Sequence, residues 1–339
     1  MDGMGGGLTF DDVPDPVARP GAVVIRIEAT PLLSYLRTFV AGGLTSYSPP
    51  GGKFTPGTGG AGVVEAVGDG VYHLAVGQAV LLSPYLTADE RVPDPASTLI
   101  SLHGDPQLNQ MWRDGTLADK ALMPASVVTP IPPGTGNAVR VTALTRCLVP
   151  YGGLVKGLLR PGETVVVHGA TGAFGQAGVL VALAMGAAEV VAAGRNRAVL
   201  DALAELPRVR TVAMTGDPDI DAAAVGVVDL GLDLVGQASS ASGTLAVLKA
   251  LRRGGRLVLM GSMTVPLPVD YSMLIRGNKD ILGAYMYPPQ APTELLRLTA
   301  AGLLDLSRIG VETFGLADLV PAMDRAAEPG APLVVMTPT

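Results

Sequence analysis

Cysteine is nearly absent from this chain. Cys147 is the only one in 339 residues, alongside three histidines, one tryptophan and five phenylalanines. A single cysteine excludes an internal disulfide and any multi-cysteine zinc site. Charge is also sparse, at 16% against 48% hydrophobic residues, which excludes a disordered chain and predicts a large buried core. The net charge of −6 comes without a long basic run, so nucleic acid is not an expected partner. Long apolar runs are missing too. The mean hydropathy of +0.40 raises the question of a membrane. Yet the longest apolar stretch, Ala177 to Ala188, stops at Glu189, short of the ~20 residues a spanning helix needs. It reads as a helix buried against a sheet. Met1-Asp-Gly-Met-Gly-Gly has no basic region followed by an apolar core, so no secretory signal is expected and a cytoplasmic location is the default.

What is present suggests two domains. From Gly21 to about Pro130 the pattern is β-rich, with strands at Ala22–Glu28, after Gly57–Ala66, after Val76 and again between Leu117 and Val128. Ser83 to Asp114 has no clear period and reads as a long loop or lobe. After Pro130 the pattern changes. Asn137 to Leu159 has helical spacing. Strands are then expected at Thr164–His168, Glu189–Ala193, Thr211–Met214, Leu230–Val235 and Arg256–Gly261, with helices near Ala173–Met185, Arg197–Leu206 and Ser242–Leu251. That alternation predicts an α/β domain with a parallel, doubly wound sheet. A strand at Ile281–Tyr285, helices at Pro292–Ala301 and Leu316–Ala327, and a strand at Leu333–Thr337 follow.

The chemistry-bearing segment is Thr164-Val-Val-Val-His-Gly-Ala-Thr-Gly-Ala-Phe-Gly. A buried strand runs into a turn, Gly169 to Gly175, that opens a helix. Ala170, Gly172 and Gly175 take the three positions of a G-x-G-x-x-G pattern. Gly172 lets the backbone approach a pyrophosphate, Gly175 lets the helix pack on the strand, and the amides around Ala173 and Phe174 face the anion. Thr171 is a further candidate to bond the pyrophosphate, and His168 flanks the turn. An NAD site carries Asp or Glu about 20 residues on. Here the second strand ends in Gly194-Arg195-Asn196-Arg197. Guanidiniums grip a 2′-phosphate that a carboxylate repels, and Gly194 leaves room for it, which favours NADP(H) over NAD. Solvated charges at a helix start are the competing reading of the two arginines.

Several segments in order resemble the medium-chain dehydrogenase/reductase superfamily, in its zinc-free, quinone oxidoreductase-like branch. They are Pro20-Gly-Ala-Val-Val-Ile-Arg-Ile-Glu-Ala, Pro56-Gly-Thr-Gly-Gly-Ala-Gly-Val-Val-Glu-Ala-Val-Gly, Val76-Gly-Gln-Ala-Val, Asp114-Gly-Thr-Leu-Ala-Asp-Lys, Arg160-Pro-Gly-Glu-Thr-Val-Val-Val-His-Gly and Gly254-Gly-Arg-Leu-Val-Leu-Met-Gly. The resemblance implies a mainly β, GroES-like catalytic domain (1–128 and 277–339) and a Rossmann-type NADP-binding domain (129–276). It also implies a homodimer paired through the edge of the nucleotide-domain sheet, with Thr264-Val-Pro-Leu-Pro-Val at that edge. At the zinc-ligand positions of zinc-dependent members stand the Leu32-Leu33 pair, Thr58-Gly59 and Thr145, and the Ser83–Asp114 lobe has no cysteine. No metal is expected. Leu33 and Leu36 replace the Asn and Asp that zinc-free relatives often carry.

Without zinc, reduction of an activated C=C bond is the least demanding chemistry, because the growing enolate needs only hydrogen-bond donors. Tyr35, Tyr47, Tyr85, Tyr151, Tyr285 and Tyr287 are candidate proton donors. The resemblance singles out Tyr47, in a segment flanking the cleft in relatives, and Tyr285, after the sixth strand. It also makes Thr145 a candidate for positioning substrate or nicotinamide. Gly261 and Ser262 follow the fifth strand, where Ser262 either contacts the nicotinamide ribose or carboxamide or caps a turn. His103, in the lobe, is expected to face solvent. Three functions compete: an NADPH-dependent reductase of enones or quinones, a metal-independent NADP-dependent alcohol dehydrogenase or carbonyl reductase, and a non-catalytic, crystallin-like cofactor-binding protein.

Overall fold

The computed structural model describes residues 1–338. The chain folds into two compact units. One comprises Met1–Thr145, Pro292–Ala300 and the segment from Leu306 onward, and the other Arg146–Ala291 and Ala301–Asp305.

The first unit is mainly β. Its seven-stranded sheet runs in the order Val311–Gly315, Leu333–Thr337, Ala22–Pro31, Gly60–Val67, Ala79–Leu82, Val128–Pro130, with Lys120–Pro124 also pairing to Ala22–Pro31. Ala22–Pro31 is almost wholly buried because neighbours cover both its faces, so its apolar residues run continuously instead of alternating. The Ser83–Asp114 lobe is more ordered than its sequence suggests. Tyr85–Thr87, Ser97–Leu99 and His103–Gly104 form a three-stranded antiparallel sheet, and Pro106–Met111 is a short helix. Asp105 starts that helix by accepting from the N–H groups of Gln107 and Leu108.

The second unit is a six-stranded, all-parallel sheet in the order Val209–Ala213, Glu189–Gly194, Thr164–His168, Val228–Asp233, Leu251–Leu259, Asp280–Gly283. This is the doubly wound order, reversing between Thr164–His168 and Val228–Asp233. Val165, Val166, Val167, Val190, Val191, Leu230 and Leu232 are fully buried at its centre. The helix Ala173–Ala184 lies against it with most residues buried. The apolar stretch at 177–188 is thus a core helix and turn, and among the described residues no helix is long and apolar enough to cross a membrane.

Two expectations need correction, and one helix has no sequence expectation at all. The helical spacing of 137–159 yields two helices, Ala138–Thr142 and Thr145–Lys156. The hydroxyls of Thr142 and Thr145 donate to the carbonyls of Ala138 and Thr142 and compete with the helical ladder at the break. Thr264–Val269 is not a strand. The sheet ends instead at Asp280–Gly283, because the prolines at 266 and 268 cannot donate to a ladder. A helix at Pro218–Val225 had no counterpart in the apolar pattern; Asp217 caps it through the N–H groups of Asp219 and Ile220.

Candidate active site

Parallel strands deliver their carboxyl ends to one edge of a sheet. The turn at 169–175, the segment 194–197, the loop after Asp233 and the pair Gly261-Ser262 therefore gather at the same edge of the second unit, about the point where the strand order reverses.

The turn is held by its backbone. Gly169 and Ala170 both donate to the carbonyl of Ala193 at 3.0 Å, and Gly172 donates back to Gly169 at 2.9 Å. A Cβ on Gly175 would lie 2.0 Å from the Gly169 carbonyl oxygen, so only glycine lets the helix come this close. Gly172 is the N-cap of the helix Ala173–Ala184 and has no side chain to satisfy the first turn. Among the described residues, the first-turn N–H groups of Ala173, Phe174 and Gly175 have no backbone acceptor, which leaves an anion cradle at a helix N-terminus. The donor set fits a dinucleotide pyrophosphate.

Gly194 leaves room for a neighbouring side chain. A Cβ there would meet Thr171 Cγ2 at 2.6 Å, so the missing side chain makes room for Thr171. Arg195, Asn196 and Arg197 are exposed. Asn196 caps the next helix by accepting from the N–H of Val199, and the two guanidiniums make no ion pair among the described residues. At the far side of the edge, a Cβ on Gly261 would lie 1.9 Å from the Val235 carbonyl, and one on Gly236 would lie 2.9 Å from Ser262 Oγ. Those loops pack backbone to backbone with Ser262 over Gly236.

Beneath this edge lies a polar cluster. His168 Nδ1 is 3.2 Å from Asp233 Oδ1, Thr244 Oγ1 donates to Asp233 Oδ2, and the N–H of Val235 donates to Asp233 Oδ1 at 3.0 Å. Burial pushes the Asp233 carboxyl up, but the hydrogen bond and charge of His168, with the bonds from Thr244 and Val235, outweigh it and hold the group below the usual carboxylate range. Asp233 thereby ties together the ends of the two strands that flank the reversal. The valine-rich strand signalled burial at His168, but nothing in the sequence paired it with Asp233.

Tyr47 and Thr145 belong to the first unit and Tyr285 to the second. Thr145 spends its hydroxyl proton on Thr142, at 2.7 Å. Tyr285 is exposed just beyond Asp280–Gly283. Tyr47 is in an aromatic cluster, edge-on to Tyr35 at 6.1 Å and stacked on His103 at 5.0 Å. His103 is therefore not a plain solvent-facing side chain. It is half-buried, and its Nδ1 accepts from the N–H of Ser48 at 3.0 Å. The rest of the lobe straps the following loop in the same way. Asn109 Nδ2 donates to the Ser48 carbonyl, Gln110 accepts from Gly51, Arg113 donates to the carbonyls of Gly51 and Lys53, and Asp114 accepts from Thr55. The lobe thus fastens the loop that follows Tyr47.

The zinc-ligand positions do not offer zinc donors. Leu32 is buried, Leu33 half-buried and Thr58 buried, and among the described residues no three His, Cys, Asp or Glu side chains could share a metal ion. Cys147 is fully buried, and burial pushes its thiol up to about 12, so it is not a ready nucleophile.

The alcohol dehydrogenase GroES-like domain model matches residues 19–133, and the zinc-binding dehydrogenase model matches residues 173–301. The chain belongs to the medium-chain dehydrogenase/reductase superfamily. It is 27% identical over 276 residues to a putative D-xylulose reductase of Agrobacterium fabrum, covering 79% of this chain and 76% of the relative. Its fold matches a cobalt- and zinc-bound thermostable alcohol dehydrogenase from Pyrobaculum aerophilum with a TM-score of 0.77 at 24% identity, covering 99% and 98% of the two chains. It also matches a putative zinc-binding dehydrogenase from Sinorhizobium meliloti 1021 bound to NADP, with a TM-score of 0.76 at 20% identity and 96% and 94% coverage. The superfamily's GroES-like domain corresponds to the β unit and its Rossmann-like sheet to the parallel unit.

Proposed function

We propose that this protein is an NADPH-dependent, zinc-independent oxidoreductase that transfers hydride to an activated C=C bond of an enone or quinone. The observation that carries the cofactor reading is the pair of exposed guanidiniums of Arg195 and Arg197, without an ion pair among the described residues, at the end of the second parallel strand, where an NAD site has a carboxylate. When bound, NADPH supplies the hydride. The first-turn amides of Ala173, Phe174 and Gly175 hold its pyrophosphate, with Gly169, Ala170, Thr171 and Gly172 shaping the turn. Arg195 and Arg197 hold the 2′-phosphate from Gly194-Arg195-Asn196-Arg197, and Gly261 and Ser262 border the nicotinamide end. Leucine and threonine at the zinc-ligand positions support the metal-free reading. Tyr47, held by the lobe, and Tyr285 are the candidate proton donors, and Thr145 the candidate positioning residue. NADPH consumption with a panel of enones, quinones and 2-alkenals tests this. A protein that binds NADPH yet leaves the whole panel untouched is not such a reductase.

The names of similar proteins support a second reading, an alcohol dehydrogenase or carbonyl reductase, which we take to be metal-independent and NADP-dependent. Its mark is NADP-dependent alcohol oxidation that a chelator leaves unchanged. Under either reading we propose a cytoplasmic homodimer. The last strand of the parallel sheet, Asp280–Gly283, is an edge, and the neighbouring helix Tyr271–Gly277 buries no residue, leaving Tyr271 and Ile275 exposed. Elution at the monomer mass in gel filtration removes the dimer.

A further inference from the structure

Several segment ends of the parallel unit hang on Asp233. Its side chain is buried and spends both oxygens inside the protein. Oδ1 accepts from the Val235 N–H at 3.0 Å and lies 3.2 Å from His168 Nδ1, and Oδ2 accepts from the hydroxyl of Thr244. An ionised carboxylate only accepts, so His168 Nδ1 carries the proton between them. The main-chain carbonyl of Asp233 is used as well, by the N–H groups of Met260 and Gly261 at 3.0 and 3.1 Å. Thr244 is buried in the first turn of the helix Ser242–Ala250. Gly243 brings that turn against the imidazole, since a Cβ there would lie 2.4 Å from His168 Nε2. One buried residue thus fastens the end of Thr164–His168, the loop after Val228–Asp233, the loop after Leu251–Leu259 and a helix start.

The two loops touch each other so closely that neither has room for a side chain at the contact. Gly261 lies against the Val235 carbonyl and Gly236 against Ser262 Oγ. A shift of Val235-Gly236 therefore carries Gly261-Ser262 with it, and Asp233 holds both, one through its carboxylate and the other through its carbonyl. The glycine turn is fastened elsewhere, through the N–H groups of Gly169 and Ala170 on the Ala193 carbonyl. The edge of the sheet thus has two separately anchored halves. The anion cradle hangs on Ala193, and the paired loops hang on Asp233.

We infer that Asp233, His168 and Thr244 are positioning residues for the nicotinamide half of the dinucleotide: they set where Val235-Gly236 and Gly261-Ser262 stand and leave the pyrophosphate cradle to its own bonds. The inference rests on the reading above that Gly261 and Ser262 border the nicotinamide end. Both Asp233 oxygens are spent inside the cluster, so the carboxylate acts through the loops and not on the ligand. Without the Thr244 hydroxyl, Oδ2 becomes a buried acceptor that has lost its donor, which is costly. The carboxylate then turns toward another donor and draws Val235 with it.

The test is equilibrium binding to the full chain of NADPH and of 2′-phospho-ADP-ribose, which lacks the nicotinamide ring, with NADH and ADP-ribose as a second pair. Thr244→Val weakens the dinucleotide about 5- to 10-fold, the order of one hydrogen bond's net worth, and leaves the ring-less ligand within about 2-fold of wild type. It also blunts the change in nicotinamide fluorescence on binding. Thr244→Ser keeps the hydroxyl and behaves as wild type in all three measurements. Equal weakening of the dinucleotide and the ring-less ligand shows a cluster that only supports the fold, and overturns the inference. So does a valine variant indistinguishable from wild type, or a serine variant that behaves as the valine one. NADPH binding no tighter than NADH overturns the NADP reading instead, and the NADH and ADP-ribose pair then decides this inference by the same comparison.

Discussion

Asp233 and His168 are register partners on adjacent parallel strands, and their side chains meet 3.2 Å apart under the edge that carries the glycine turn. Asp233 is 2% exposed. Its carboxyl is held below the ordinary range, so it stabilises the fold at any pH above the unfolded value of about 3.9. That contribution is lost as pH falls through the lower folded value. Asp233→Asn should cost about 2–4 kcal/mol near neutrality, and the difference from wild type should shrink on acidification. Urea denaturation from pH 7 down to pH 3 measures this. A constant difference across that range contradicts the assignment.

Arg256 anchors the opposite end of the same sheet. It makes two bonds to Glu163, at 2.9 and 2.6 Å, and a third to the Gly157 carbonyl at 2.8 Å. Burial raises Glu163, but Arg256 and the Arg160 amide outweigh it and keep the group ionised at lower pH than usual. A lysine supplies the charge without the planar fork, so Arg256→Lys should still cost about 1–2 kcal/mol. A denaturation midpoint unchanged by that substitution would show that charge alone matters there.

Gly194→Ala should destabilise by about 1–3 kcal/mol through overpacking, since the new Cβ meets Thr171. Removing the obstructing methyl and hydroxyl with Thr171→Ala should recover much of the loss. A double-mutant cycle in thermal melts reads the coupling. Additive effects would mean that Thr171 is not what occupies the space.

The lobe's grip on the Tyr47 loop predicts a local effect. Arg113→Ala removes the donor to the Gly51 and Lys53 carbonyls. Amide exchange over residues 51–55 should accelerate at least several-fold while the parallel sheet keeps its protection. Uniform acceleration in both units would point to global destabilisation instead.

The parallel sheet was readable because buried strands such as Thr164–His168 begin as runs of β-branched residues, and because several are followed by a helix with a clear apolar pattern. The glycine turn was readable from its place between the two. The strand Leu251–Leu259 begins earlier than Arg256, because Gly254 and Gly255 look like a turn and only the pairing of Val228 with Leu251 shows the strand passing through. The lobe was opaque for a different reason. Its order comes from side chains bonding to backbone some 60 residues away, as Arg113 does to Gly51, and no period records that. Leu33 and Thr58 could be read individually as missing ligands.

The central claim is tested most directly by measuring the affinities of NADPH and NADH, by fluorescence titration, for the wild type and for the double variant Arg195→Ala, Arg197→Ala. The account predicts tighter NADPH binding by the wild type, and a loss of about 10- to 100-fold for NADPH in the variant with little change for NADH. Equal affinities for the two cofactors, left unchanged by the substitutions, would contradict it.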